Sequence, residues 1–443
     1  MLPVIAIIGR PNVGKSTLFN CLTKSREAIV ADLPGVTRDR KYGQGKLGSK
    51  PHIVIDTAGI AENDSELDLI MTHQAELAAA EANEIIFLVD GGAGLTDADQ
   101  EIAQFLRQLN KKIYIVVNKT DGLNPDVAIG DFFSLGLGEP YPIVATQGKG
   151  VKQLIEKIVA DFPEEASDPV TEIDHSRIRV AIIGKPNVGK STLVNRLLGE
   201  ERVIVFDEAG TTRDTQELPL ERNGQHYTII DTAGIRKRGR INESVEKFSV
   251  VKSLQAIEHA HVVLYVIDAK QGITDQDASL LGFLLDAGRS LVIVINKWDG
   301  LSHENKKEIQ EEIKDRLHFV DFAETRYISA LHGSGVGDLF HYVDTAFASA
   351  MCALTTNKVT LLLQQAVREH QPPLVSGRRI KLRFANPGGH NPPIIVIHGN
   401  QTDNLPQSYK RYLTNFYRSA LKLVGTPLLL RFKSSENPFQ DKK

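Results

Sequence analysis

The chain has 443 residues, 42% of them hydrophobic and 24% charged, with a net charge of −3 at pH 7, a length that suits about three domains with separate cores. No apolar run is long enough to span a bilayer, no signal peptide is expected, and Cys21 and Cys352 have no partner His or Cys at metal-ligand spacing. A membrane protein, a disulfide scaffold and a zinc module are therefore excluded, and a cytoplasmic protein is expected.

The β-branched run Val4 to Ile8 leads into Gly9-Arg10-Pro11-Asn12-Val13-Gly14-Lys15-Ser16, and Thr17 opens a helical pattern. Strand, glycine-bracketed loop and helix in that order make a phosphate-binding loop: backbone N–H groups converge on the anion and the helix directs its positive end at it. The spacing then predicts a strand over His52–Asp56, a helix over Asp64–Ala82, a strand over Glu84–Asp90 and a helix over Asp97–Leu109. A strand over Ile113–Asn118 and a helix over Lys149–Ala160 complete the segment. Such alternation implies an α/β domain with a mostly parallel sheet, helices on both faces, and ligands at the carboxyl ends of the strands.

Residues 163–176 belong to an acidic, proline-containing stretch without Lys or Arg and read as a linker. The first segment then repeats. Val180 to Ile183 leads into Gly184-Lys185-Pro186-Asn187-Val188-Gly189-Lys190-Ser191-Thr192; Gly9, Thr37 and Asp56 recur as Gly184, Thr212 and Asp231 at one constant offset, and Asn118 recurs as Asn296 at a slightly larger one. From Met351 onward the pattern changes to helix, strand, strand, helix, strand, a small α+β layer structure. There fourteen Lys and Arg face four acids, a net of +10 that leaves −13 for the rest of the chain, so an anionic partner is expected at the C-terminal end. The expected domains are 1–162, the linker 163–176, 177–350 and 351–443.

In each copy Lys15 or Lys190 would reach the β- and γ-phosphates of a nucleotide, and the Ser16 or Ser191 hydroxyl would ligate Mg²⁺. Gly9, Asn12, Val13, Gly14 and Thr17, with Gly184, Asn187, Val188, Gly189 and Thr192, complete the two loops. Asp56-Thr57-Ala58-Gly59 and Asp231-Thr232-Ala233-Gly234 end apolar strands; the aspartate would hold a Mg²⁺-bound water and Gly59 or Gly234 would sense the γ-phosphate. Thr37 and Thr212 are expected in loops, where a hydroxyl completes the Mg²⁺ shell.

Base choice rests on Asn118-Lys119-Thr120-Asp121 and Asn296-Lys297-Trp298-Asp299. A carboxylate there accepts from guanine N1–H and the N2 amino group together, whereas adenine would leave it unpaired, so the nucleotide is GTP. Ile328-Ser329-Ala330 reads as the last base-contacting turn. Its counterpart Ile143-Val144-Ala145 has lost the hydroxyl and keeps the Ala145 N–H. Ile60 and Ile235 stand where a Ras-like GTPase carries its water-orienting glutamine; a K⁺ held by the amide oxygens of Asn12 and Asn187 would instead supply charge for hydrolysis.

Two segments with P-N-V-G-K-S loops, T-R-D and D-T-A-G-I motifs and a basic αββαβ tail resemble the bacterial double-GTPases of the Era-like (TrmE-Era-EngA) family over essentially the whole chain. The resemblance implies two tandem P-loop GTPase domains and a C-terminal KH-like domain. It also implies slow, potassium-stimulated GTP hydrolysis with Mg²⁺, and a role in assembly of the large ribosomal subunit, with rRNA as partner, no membrane, and a monomeric state. An RNA-modifying enzyme would need a second catalytic domain or cofactor fingerprint, which the chain lacks; a binding scaffold in which one GTP site does not turn over stays an alternative that single-site mutants would separate. The tail lacks the G-x-x-G loop of an RNA-gripping KH module, Gly388-Gly389 being expected in a hairpin turn. Arg236, Lys237, Arg238 and Arg240 follow Gly234, where Glu62, Asp64, Glu66 and Asp68 follow Gly59, so the second switch is expected to face RNA or an acidic surface.

Overall fold

A computed structural model describes residues 2–24, 29–33, 36–57, 75–122, 124–162, 177–199, 203–205, 216–231, 250–375 and 378–434. The chain forms two compact units, Met1–Ile173 with Ser249–Gln255, and Asp174–Phe248 with Ala256–Lys443.

The first unit holds β1 (Val4–Ile8), β2 (Ile29–Leu33), β3 (Val36–Gly45), β4 (His52–Asp56), β5 (Glu84–Asp90), β6 (Lys112–Asn118) and β7 (Tyr141–Pro142). They form one sheet in the order β2-β3-β4-β1-β5-β6-β7, parallel from β4 to β7 and closed at one side by the antiparallel β2–β3 ribbon. β1, β4 and β5 are buried along their whole length, as β-branched runs covered on both faces must be. Consecutive connections from β1 leave to opposite sides, so the crevice that such a reversal opens lies at the carboxyl end of β1. The phosphate loop follows β1 directly.

The second unit repeats this arrangement with β8 (Arg177–Ile183), β9 (Val203–Val205), β10 (Gln216–Arg222), β11 (Gln225–Asp231), β12 (Val262–Asp268), β13 (Ser290–Asn296) and β14 (Glu324–Tyr327). The order β14-β13-β12-β8-β11-β10-β9 is the same topology. In both copies a capping box starts the helix after the third parallel strand. Thr96 and Asp99 cap Asp97–Arg107, and Thr274 and Asp277 cap Asp275–Asp286, satisfying first-turn N–H groups that have no intrahelical partner.

The tail folds as expected into the helix Thr356–Glu369, then β15 (Leu374–Val375) and β16 (Arg378–Arg379) as a small ribbon, β17 (Leu382–Gly389), β18 (Ile394–Gly399), the helix Gln407–Leu421 and β19 (Leu429–Ser434). β17, β18 and β19 make a three-stranded sheet, with Ala385, Ile395 and Ile397 turned into a core with Val359, Leu363, Leu413 and Tyr417.

Two expectations change. Gly388 and Gly389 end β17 and are not in the turn, because the ladder runs on to a Gly389–Ile394 pair after a register shift. Thr37 lies in β3, not in a loop, because the β2–β3 ladder closes as tightly as Leu33 against Val36. Of the predicted helix Asp64–Ala82, residues 75–81 are helical and the remainder before them lies outside the described residues, as does the linker 163–176. Among the described residues no helix is long and apolar enough to cross a membrane.

Candidate nucleotide sites

Each phosphate loop is fixed from three directions. Val13 and Val188 bury their side chains in the domain cores and so pull the loops onto the sheets. Gly14 and Gly189 adopt φ near +100°, and a Cβ there would lie 2.4 or 2.3 Å from the side-chain nitrogen of Asn118 or Asn296; only glycine meets both demands. Asn12 and Asn187 sit at φ of 64° and 63°, the left-handed region that asparagine tolerates better than most side chains.

Lys15 and Lys190 open the helices Lys15–Thr23 and Lys190–Leu198. The Lys15 ammonium donates to the carbonyls of Gly9 and Arg10, both at 2.7 Å, and Lys190 donates to Lys185 at 2.6 Å. Burial lowers the Lys15 pKa to about 8, the Asp56 carboxylate pulling it up and Arg10 pushing it down. Asp56 ends β4 fully buried, close enough for its carboxylate to act on the Lys15 ammonium. Ser16 and Ser191 directly follow the lysines in the first helical turns. A hard-oxygen set of hydroxyl and carboxylate fits Mg²⁺ better than any softer ion.

The N-K-x-D segments act as clamps. Asn118 donates from Nδ2 to the Val13 carbonyl at 2.8 Å and accepts at Oδ1 from the Ala145 N–H at 3.0 Å. Asn296 does the same with Val188 at 2.8 Å and Ala330 at 2.9 Å. One side chain thus ties the phosphate loop to the base turn. The Ala145 N–H, the donor that the first base turn keeps, is thus engaged by Asn118, as the Ala330 N–H is by Asn296.

Lys119 reaches the Asn12 carbonyl at 2.8 Å and the Asp90 carboxylate at 2.7 Å; Lys297 reaches Asn187 at 2.7 Å and Asp268 at 2.6 Å. For Asp90, burial raises the pKa, but the Lys119 bond and the N–H groups of Gly92 and Ala93 outweigh it and leave the carboxyl below its ordinary value. Asp90 and Asp268 end β5 and β12 and were not among the residues singled out from sequence. Neither were Asp99 and Asp277, which pair with the loop residues Arg10 at 3.4 Å and Lys185 at 3.2 Å. Their occurrence at equivalent places in both copies was the available signal.

The carboxylates expected to read the base differ between the copies. Asp121 and Asp299 are both exposed. Asp299 has His332 Nε2 at 3.1 Å, and a hydrogen bond from Ser329 leads the effects that lower its pKa. At the matching place in the first copy Val144 is buried and carries no hydroxyl. Arg196 holds the second base turn by donating to the Ala330 carbonyl at 3.4 Å and to that of Leu331.

Thr212, Gly59 and Gly234 lie outside the described residues, as do the side chains of Thr37 and Asp231, together with Ile60, Ile235 and the acidic and basic stretches after Gly59 and Gly234. Cys21 and Cys352 are free, and burial raises both thiol pKa values.

Fold and sites together define a protein with two tandem GTP-binding P-loop domains. The family described as 50S ribosome-binding GTPase matches residues 4–119 and 179–297, and the KH-domain-like C-terminal family of EngA bacterial GTPase enzymes matches 354–433. GTPase Der of Marinomonas sp. (strain MWYL1) is 55% identical, with 100% of each chain covered. GTPase Der of Thioalkalivibrio sulfidiphilus (strain HL-EbGR7) is 57% identical over 100% of this chain and 96% of that one. The chain belongs to the Der (EngA) family of GTPases. Among solved structures, Era of Aquifex aeolicus bound to GDP·AlF4⁻ is similar at 26% identity over 60% of this chain and 95% of that chain, with a TM-score of 0.29.

Proposed function

We propose that the chain is a slow, potassium-stimulated GTP switch that acts in assembly of the large ribosomal subunit. The observation that carries this reading is that two separately complete phosphate-loop and N-K-x-D clamps share a chain with a basic KH-like domain. The match to a family described as 50S ribosome-binding supports it. The functional boundaries are 1–162, 163–176, 177–350 and 351–443.

In this reading Lys15 and Lys190 hold the β- and γ-phosphates, and the loop N–H groups from Gly9 to Thr17 and from Gly184 to Thr192 line the anion. Asp121 and Asp299 select guanine, and Asn118 and Asn296 hold the two halves of each site in register. Ser16, Thr37 and Asp56, with Ser191, Thr212 and Asp231, would hold Mg²⁺, which neutralises charge between the phosphates. The exposed amides of Asn12 and Asn187 would hold K⁺, in the absence of a glutamine at Ile60 and Ile235. Gly59 and Gly234 would register the γ-phosphate and change the surface presented to rRNA. The protein acts as a cytoplasmic monomer.

Cosedimentation with purified large subunits, in GDP or a non-hydrolysable GTP analogue, tests the reading. Binding only with the analogue, weakened by Lys15→Ala or Lys190→Ala, is expected; equal binding in both nucleotides, or none, overturns it. Equal hydrolysis in Na⁺ and K⁺ at matched ionic strength removes the potassium role.

A further inference from the structure

The outer face of the C-terminal sheet is built from residues that the nucleotide sites do not use. Register places Phe384 of β17 opposite His398 of β18, and His398 opposite Lys433 of β19; one step along, Asn386, Val396 and Arg431 form the next row. Directly paired residues share a face. The intervening residues Ala385, Ile395, Ile397, Leu430 and Phe432 turn the other way into the core, so these rows face away from it, with Val396 buried at their centre and Phe384, Arg431 and Lys433 exposed around it.

Phe384 is 44% exposed, although an aromatic ring of that size ordinarily finds cover. It stacks on His398 with ring centroids 4.4 Å apart and planes within 7°. The stack is held in place. Asn386 donates from Nδ2 to the Pro387 carbonyl at 2.9 Å, leaving Oδ1 to accept from His398 Nε2 at 2.8 Å. A pre-oriented flat ring with one covered side offers its other side to a further flat group.

The charged residues in and beside these rows are basic, and the exposed Asp403 carboxylate lies one residue past Lys433, against Ser434. Arg431 and Lys433 are exposed in the same rows, and Lys381 and Arg383 are exposed beside Phe384 at the start of β17. Among the described residues no carboxylate forms an ion pair with any of the four. An aromatic platform flanked by cations on an open sheet suits unpaired bases on a phosphate backbone, since every base has a π-face and every phosphate a charge.

We propose that this sheet face binds a single-stranded RNA segment, with one base stacked on Phe384 and the adjoining phosphates on Arg431 and Lys433. The site needs no G-x-x-G loop, and it rests on the reading of the chain as an RNA-directed GTPase. A duplex hides its base faces and is a poor ligand, and an acidic protein would meet the cations but gain nothing from the ring stack.

The test is fluorescence anisotropy of a short, labelled, mixed-sequence single-stranded RNA with the full chain, with the same RNA as a duplex for comparison. Phe384→Ala should weaken single-strand binding roughly tenfold with an unchanged salt slope, and Phe384→Tyr should restore it. Arg431→Ala with Lys433→Ala should lower the slope of log affinity against log salt by about 0.7 per charge removed. Far-UV circular dichroism and GTP hydrolysis at wild-type levels identify a folded variant.

Unchanged affinity in folded Phe384→Ala, or equal loss for single strand and duplex, overturns the proposal. So does displacement of RNA by polyglutamate with equal potency against wild type and Phe384→Ala, the result expected of a protein-docking face. Failure of the wild-type chain to cosediment with large subunits, with the oligonucleotide results intact, would fault the assembly reading and leave this site standing.

Discussion

Two side chains of the first nucleotide site carry consequences beyond contact. Asn118 is buried and holds both the Val13 carbonyl and the Ala145 N–H. Asn118→Ala leaves two backbone groups unpaired away from water, a loss of about 1–3 kcal/mol. Titration of a fluorescent GDP analogue into a Lys190→Ala background, which isolates the first site, should show affinity reduced by about tenfold or more. Lys15 gives a pH signature. Burial lowers its pKa to about 8, while bound phosphates favour the charged form and raise it, so binding takes up a proton above that pH. Guanine nucleotide affinity at the first site should be flat below about pH 7 and fall as pH rises through 8, approaching tenfold per unit. A flat profile to pH 9 would place the ammonium away from the phosphates.

At the scale of elements, the capping aspartates link a helix start to the phosphate loop. Asp277 is 2% exposed; it accepts from the Thr274 N–H at 2.9 Å, the Thr274 hydroxyl at 2.8 Å and the Tyr265 hydroxyl at 3.0 Å, and it pairs with Lys185. Thr274→Ala removes a cap, costing about 1 kcal/mol. Asp277→Ala also strands a buried phenol and a loop lysine and should cost about 3 kcal/mol or more. Thermal denaturation should rank the two in that order, and only Asp277→Ala should also weaken nucleotide binding at the second site. These links were illegible in sequence for a physical reason. Val4–Ile8, the glycine loops and N-K-x-D are local patterns, and duplication of each made the fold and most of the site readable. Pairs such as Arg10 with Asp99 or Lys119 with Asp90 join residues far apart in the chain, brought together only by the strand order. Thr37 was misplaced because strand formation there depends on pairing with β2, not on its own sequence. The Phe384 platform needed the register of three strands, which a run of alternating residues does not supply.

Within the second unit, the C-terminal domain is seated on the GTPase sheet through backbone. The Leu291 N–H donates to the Gly425 carbonyl at 2.7 Å and the Gly425 N–H to the Phe322 carbonyl at 2.8 Å. Leu291 lies near the start of β13 and Asn296 ends it, so the strand that receives the C-terminal domain at one end presents the Asn296 clamp at the other. Gly425 has φ of +70°, and a Cβ there would meet the Ala346 Cβ at 2.6 Å. Both left-handed strain and a clash with backbone-near atoms therefore oppose any side chain. A second contact, the two-pronged Arg418–Asp321 ion pair at 2.8 and 3.0 Å, involves an exposed carboxylate and is worth at most about 1 kcal/mol. Gly425→Val should therefore open the seam and Arg418→Ala should not. Hydrogen exchange at the Leu291 and Gly425 amides should accelerate strongly in Gly425→Val and stay near wild type in Arg418→Ala. Amides of the helix Thr356–Glu369 should keep their protection in both variants, because that helix belongs to a core of its own. Loss of protection across that helix in Gly425→Val would instead mean that the C-terminal domain depends on the seam for its folding.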